Sequence, residues 1–170
     1  MKIFFTSDTF FGRKTTALKR GFTSTEEMEE VIIENWNKKV GVNDIVYHLG
    51  NFAWDPVSAE YSIIHLNGRI NFIGGSYDKH MSEISLVKAG RHHLLPAISY
   101  IPKESIVLSH WPLMDWPEKE NGSLHIHGGS IKSNLENELR FNANIENWSM
   151  TPVDLDVLKD IIESYKNQKD

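Results

Sequence analysis

Short apolar runs, each broken off by glycine or small polar residues, alternate along this chain with longer stretches whose apolar residues recur every three or four positions. The short runs have strand length and the longer ones helical periodicity, so the pattern reads as an α/β fold. Lys2 to Thr6, Ile45 to Leu49, Arg69 to Ile73, Ser105 to Ser109 and Ser123 to His127 are the principal expected strands. Ser24-Thr25-Glu26-Glu27 has capping-box spacing, and Met28, Ile32, Trp36 and Val40 follow at i+4, which predicts a helix over about 24–40 with Trp36 in the core. Asp55-Pro56 opens a second helix through Leu66, stopped by Asn67-Gly68. Asp78 to Val87 contains a short helix, with Met81, Ile84 and Leu86 as core candidates. Ala97 to Ile101 and Ser105 to Ser109 fit a hairpin turning near Pro102-Lys103. Phe141 to Glu146 reads as a late strand, and Asp154 caps a final helix in which Leu155, Leu158, Ile162 and Tyr165 share one stripe before a frayed tail, Lys166 to Asp170. Arg13 to Gly21, with the further basic residues Lys14, Lys19 and Arg20, is expected as a polar surface loop beside the site, and Arg91-His92-His93 as a solvated loop or strand edge.

The polar breaks carry the chemistry. Ser7-Asp8-Thr9, Gly50-Asn51, Ser76-Tyr77-Asp78, Ser109-His110 and Gly128-Gly129-Ser130 each follow a strand, at the C-terminal end where α/β sheets bind ligands. Taken singly, an aspartate in such a place is also an ordinary turn or cap residue. Five such ends are expected to converge on one edge. His48 lies within its strand and reads as a structural histidine, whereas His125 and His127 share a face at i+2, a spacing that can bind metal.

These five blocks, in this order, resemble the calcineurin-like metallophosphoesterases, whose signature is D-x-H, G-D, G-N-H-D, a lone H and G-H-x-H. The flanking text SDTxFG, VYHLGxFAW and LSHWPL resembles the small bacterial and phage members, and the resemblance runs from residue 1 to about residue 155. It implies a sandwich of two mixed β-sheets flanked by α-helices. It also implies two divalent cations, such as Mn, Fe, Zn or Ni, that clamp a phosphate and activate a water. The family's ligand positions, however, hold other residues here. The D-x-H histidine is Phe10, the bridging aspartate Asn51, the asparagine ligand Ser76, the catalytic histidine Tyr77, and the two G-H-x-H histidines Gly129 and Ile131. Asp8 and His110 alone keep a ligand's identity. Phenylalanine, glycine and isoleucine side chains cannot coordinate a metal, and a carboxamide bridges two cations far less well than a carboxylate. A site stripped of cations but not of carboxylates would bury unpaired charge at a cost on the order of several kcal/mol, and asparagine at position 51 removes one such charge at nearly constant shape.

The expectation is therefore a pseudoenzyme without a cofactor, its site formed by Asp8, Phe10, Arg13, Asn51, Ser76, Tyr77, His110 and His127, holding a phosphate-bearing small molecule such as a nucleotide signal without hydrolysing it. Phe10 and Tyr77 either stack a base or fill the vacated metal site, and Arg13 pairs with phosphate. Two alternatives are a protein-interaction scaffold recognising a protein partner, and a residual phosphoesterase using Asp8, His110 and His125 or His127 around one metal. At 170 residues and 40% hydrophobic the chain suffices for one domain with a sizeable core, and a net charge of -5 disfavours general nucleic-acid binding. The cysteine-free sequence has no disulfides or thiolate sites, and neither a signal-peptide core nor an apolar run of membrane-spanning length is evident, so a cytoplasmic protein is expected.

Overall fold

The computed structural model describes residues 1–129, 135–137 and 139–167, with the side chains of 135–137 and 165–167 outside that description. Its elements in order are β1 (Ile3–Thr6), α1 (Lys14–Lys19), α2 (Thr25–Lys39), β2 (Ile45–His48), α3 (Pro56–His65), β3 (Arg69–Ile73), α4 (Ser85–Lys88), β4 (His93–Leu95), β5 (Ile98–Ile101), β6 (Ile106–Ser109), β7 (Leu124–His127), β8 (Leu135–Asn137), β9 (Arg140–Asn142), β10 (Val153–Asp154) and α5 (Leu155–Asn167). Among the described residues they form two five-stranded sheets, ordered β10-β1-β2-β3-β4 and β5-β6-β7-β9-β8. Both are mixed: β1 to β4 run parallel with β10 antiparallel at the edge, and β6, β7 and β9 run parallel between antiparallel β5 and β8.

The helices start where their caps require. Ser24 Oγ accepts the Glu27 N–H at 3.1 Å, while the Glu27 carboxylate turns back onto Thr23 N and Oγ1 rather than onto Ser24. Asp55 caps α3 by accepting the Ser58 N–H at 2.9 Å, with Pro56 in the first turn. Asp154 Oδ1 accepts the Asp156 N–H at the start of α5.

Alternation along the strands divides the interior into two cores. Phe4, Val46, Ile70 and Phe72 face outward from the first sheet onto Met28, Ile32 and Trp36 of α2 and Ala59 and Ile63 of α3. Phe5, Leu49 and Ile73 face the other way and pack with Ile106, Leu108, Ile126 and Phe141 of the second sheet, and with Leu155 and Leu158 of α5. Two mixed sheets thus meet across a shared core, flanked by helices. Among the described residues no helix is long and apolar enough to cross a membrane.

Several sequence expectations need correcting. Arg13 to Gly21 is not a loop: it contains α1, whose buried Ala17 is one apolar anchor in a six-residue helix and so too little to leave a periodic signal. The late strand stops at Asn142, because the Asn144 side chain accepts the Glu146 N–H and starts a 3-10 turn over Ile145–Trp148. The short helix expected within Asp78 to Val87 is present as α4, preceded by a 3-10 turn, Met81–Glu83; Met81 and Ile84 are buried as expected, and Leu86 is half-buried. His92 is buried rather than solvated, and its Nδ1 accepts the Ile70 N–H at 3.0 Å. The expected stripe position Tyr165 lies outside the described side chains, and residues 168–170 of the tail lie outside the described residues.

Candidate functional site

Because β1, β2, β3, β6, β7 and β9 all point the same way within their sheets, the segments after them gather at one end of the molecule. The two sheets touch there: Ser7 bridges Asn144 in parallel, and Gly129 N donates to Asp8 Oδ2 at 2.9 Å. The segments enclose a cavity of about 440 Å³ lined by Asp8, Phe10, Arg13, Asn51, Ser76, Tyr77 and His110, with Thr16, Lys19, Arg20, Trp111, Gly129, Asn144 and Glu146. Seven of the eight residues expected at the site line it. His127 does not: it is fully buried in β7, its ring 5.3 Å from that of His125, with Nδ1 2.7 Å from Gly128 O. Ile131 lies outside the described residues.

The floor is a hydrogen-bonded trio. Asp8 Oδ1 accepts from Asn51 Nδ2 at 2.8 Å, and Oδ2 accepts from Ser7 Oγ at 2.6 Å as well as from Gly129 N. Asn51 Nδ2 also lies 3.4 Å from His110 Nε2, and Asn51 Oδ1 accepts the Tyr77 N–H at 3.4 Å. His110 Nδ1 is 2.6 Å from Leu49 O, which assigns the proton to Nδ1 and leaves Nε2 an acceptor. Burial pushes the Asp8 carboxyl up, and the hydrogen bonds from Ser7 and Asn51 pull it back. Beside the trio, the Asp78 carboxylate accepts from Asn51 N, Phe52 N and Gly75 N at 2.6–2.9 Å, which ties the β2 and β3 ends together.

Such close convergence needs unusual backbone. Asp8, Phe10 and Asn51 all take left-handed conformations, with φ of 59°, 53° and 59°. Gly50, at φ 97°, lies so close to the His110 ring that a Cβ there would collide with Nδ1 and sit 2.8 Å from the Gly75 backbone.

The wall is cationic and aromatic. The Arg13 guanidinium carbon lies 4.8 Å from the Phe10 ring, 4.9 Å from Trp54 and 4.6 Å from Tyr77, a cage of three rings around one cation. Nη2 approaches Tyr77 Oη at 3.4 Å, and buried Nε has no partner among the described residues. Phe10 and Tyr77 pack edge to face at 5.6 Å, both lining the cavity and both against the Arg13 guanidinium. Arg20 is engaged differently, donating to Asp8 O at 2.6 Å, Thr9 O at 3.0 Å and Glu146 at 2.9 Å. Trp111 stands at the rim, 58% exposed, its ring against that of His110.

The donors fit a dinuclear metal centre poorly. Asp8 is enclosed by three neutral donors, His110 faces a carboxamide, and among the described residues no three His, Cys, Asp or Glu side chains converge as ligands. His48 is structural, as expected: Thr9 Oγ1 donates to Phe52 O, so His48 Nε2 donates to that hydroxyl at 2.9 Å, and burial lowers its pKa to about 3. Asn144 and Glu146 escaped the sequence reading of the site, because they came with the unseen turn after β9. Lys19 and Arg20 belong to the basic segment expected beside the site, which is helical at α1 rather than a loop, and Trp111 was visible as an aromatic beside His110.

No protein-family model matches the chain. It is similar to MJ1445, an uncharacterized protein of Methanocaldococcus jannaschii, at 29% identity over 97% of this chain and 93% of that one. The crystal structure of AQ665, a protein of unknown function from Aquifex aeolicus, aligns with a TM-score of 0.69 over 94% of this chain and 98% of its own, at 24% identity. That likeness extends to the fold: a mixed α/β protein with two mixed sheets flanked by helices.

Proposed function

We propose that this chain is a metallophosphoesterase-like sandwich that has exchanged catalysis for capture, binding a phosphate-bearing small molecule without hydrolysing it. The observation that carries the reading is Arg13: a guanidinium caged by three rings at the wall of a cavity. A planar guanidinium held in place binds phosphate in bidentate fashion with little further ordering. The replaced metal positions and the enclosed Asp8 support the absence of hydrolysis, since neither provides an activated water or a second cation.

A thermal-shift screen of nucleotides, cyclic nucleotides and sugar phosphates tests this. A ligand at 100 times its dissociation constant adds about 2.7 kcal/mol, a rise of roughly 5 °C or more for a domain of this size. Arg13→Ala should abolish the shift, and the wild-type protein should not turn over bis-p-nitrophenyl phosphate with or without added Mn. Chelator-sensitive turnover by the wild type would overturn the pseudoenzyme reading.

A second reading, an interaction scaffold, is favoured by exposed Ile98 and Tyr100 along a cleft of about 550 Å³ where β4 passes to β5. A screen without hits, combined with concentration-dependent self-association or a stable protein complex lost in Ile98→Asp, would favour it.

A further inference from the structure

Resting on the capture reading, we infer that the ligand is a phosphorylated vicinal diol, held with its phosphate at the Arg13 and Lys19 wall and its two hydroxyls on the Asp8 and His110 floor. The donors of the trio and of the backbone beside it are engaged within the protein: Asn51 Nδ2 on Asp8 and towards His110, Gly129 N on Asp8, His110 Nδ1 on Leu49 O and Tyr77 N on Asn51 Oδ1. What the floor has left is acceptor capacity. A carboxylate offers about four lone-pair sites and three are taken at Asp8, while His110 Nε2 keeps a lone pair that meets only the long 3.4 Å approach of Asn51.

A phosphate placed on this floor would meet the buried Asp8 carboxylate and the His110 Nε2 lone pair, while the donor between them, Asn51 Nδ2, is already turned onto both, which is repulsive in a site of low dielectric. Hydroxyl groups are what such a floor receives. The two acceptors are close neighbours, since Asp8 Oδ1 and His110 Nε2 lie 2.8 Å and 3.4 Å from the same Asn51 nitrogen, so adjacent hydroxyls on one ring can reach both.

The wall has the opposite character. Arg20 is neutralised by Glu146 and turned onto backbone carbonyls, which leaves Arg13 and Lys19 to face an anion. The cavity's 440 Å³ falls within the range of small-molecule sites. Two sources share this chemistry, a ribonucleoside 5′-phosphate and a free sugar phosphate, and exposed Trp111 at the rim is placed to stack the base of the first.

Calorimetric titration of the full chain with AMP, 2′,3′-dideoxy-AMP, ribose 5-phosphate and adenosine tests the assignment. AMP is expected to bind at least about tenfold more tightly than its dideoxy analogue, the loss from two hydrogen bonds of which one goes to a charged acceptor. Asp8→Asn is expected to narrow that ratio. AMP binding tighter than ribose 5-phosphate, with the difference lost in Trp111→Ala, identifies the nucleotide; equal binding identifies the sugar phosphate. If the dideoxy compound binds as well as AMP, the diol floor is wrong and the capture reading stands. If adenosine matches AMP, the phosphate wall is wrong. If AMP, dideoxy-AMP and ribose 5-phosphate all fail to bind, as does the wider screen, the capture reading fails and this inference with it.

Discussion

At the scale of single residues the site turns on Asn51, whose carboxamide does what neither aspartate nor a hydrophobic residue could do in its place. It donates to Asp8 and points at His110 while accepting from Tyr77 N, so three neighbours depend on one side chain. Asn51→Asp would set a second carboxylate against Asp8 Oδ1, and a loss of about 3 kcal/mol at pH 7 is expected in urea unfolding. The loss should shrink towards pH 5, because a carboxylate pair in the folded state takes up a shared proton more readily than the unfolded chain does. The variant should also remain without phosphodiesterase activity; a stable, metal-loaded and active Asn51→Asp protein would show that the donor inventory is wrong. Asp8, Asn51 and His110 could be read in the sequence because each ends a strand, and strand ends converge. The cage around Arg13 could not: Phe10, Trp54 and Tyr77 come from three different strand ends, and no spacing shows that their rings enclose one cation. His127 failed for a related reason, since i+2 alternation says that it shares a face with His125 but not that this face is turned away from the cavity.

Among the elements, the long helices and buried strands were legible because their signals are local. Ser24, Asp55 and Asp154 do cap helices, and Trp36 is buried with its Nε1–H on Asn67 O. Short elements were not, because α1, β8 and β10 owe their form to neighbours rather than to a repeat of their own. The register of β2 against β3 is where element geometry becomes site geometry. It brings Gly50 against Gly75, and only two residues without side chains let the His110 ring lie between the sheets. Gly50→Ala is expected to cost about 3 kcal/mol or more and to lose ligand binding altogether, because the new methyl collides with the His110 ring and φ of 97° disfavours any Cβ. Equilibrium unfolding together with a repeat titration checks both; an alanine variant of wild-type stability would show that the His110 ring can move freely.

For the molecule as a whole, the buried imidazoles set a pH dependence. Burial lowers the pKa of His48 to about 3 and those of His92 and His125 to about 4. Each is depressed below its unfolded value near 6.5, so the folded protein binds fewer protons, and stability is fully present above pH 6.5 and is lost as pH falls towards 4. The slope per histidine is about 1.4 kcal/mol per pH unit. Asp8, whose pKa is raised, acts in the opposite sense at the acidic end. Melting temperatures should therefore fall steadily from pH 7 to pH 4.5, less so in a His125→Gln variant; a flat profile would contradict the buried neutral imidazoles.

The first sheet is closed by the last strand, with β10 pairing Phe4 to Asp154 and Phe5 to Val153 and Lys2 Nζ meeting Asp154 at 2.7 Å. On a ribosome, β1 to β4 emerge long before β10 exists. Until then β1 carries an open edge, the kind of surface that recruits other chains, and Phe5, Leu49 and Ile73 lack the second sheet that covers them. Completion of the first sheet thus waits for a strand that follows the whole of the second, and the nascent protein passes through an interval in which β1 offers an unpaired edge.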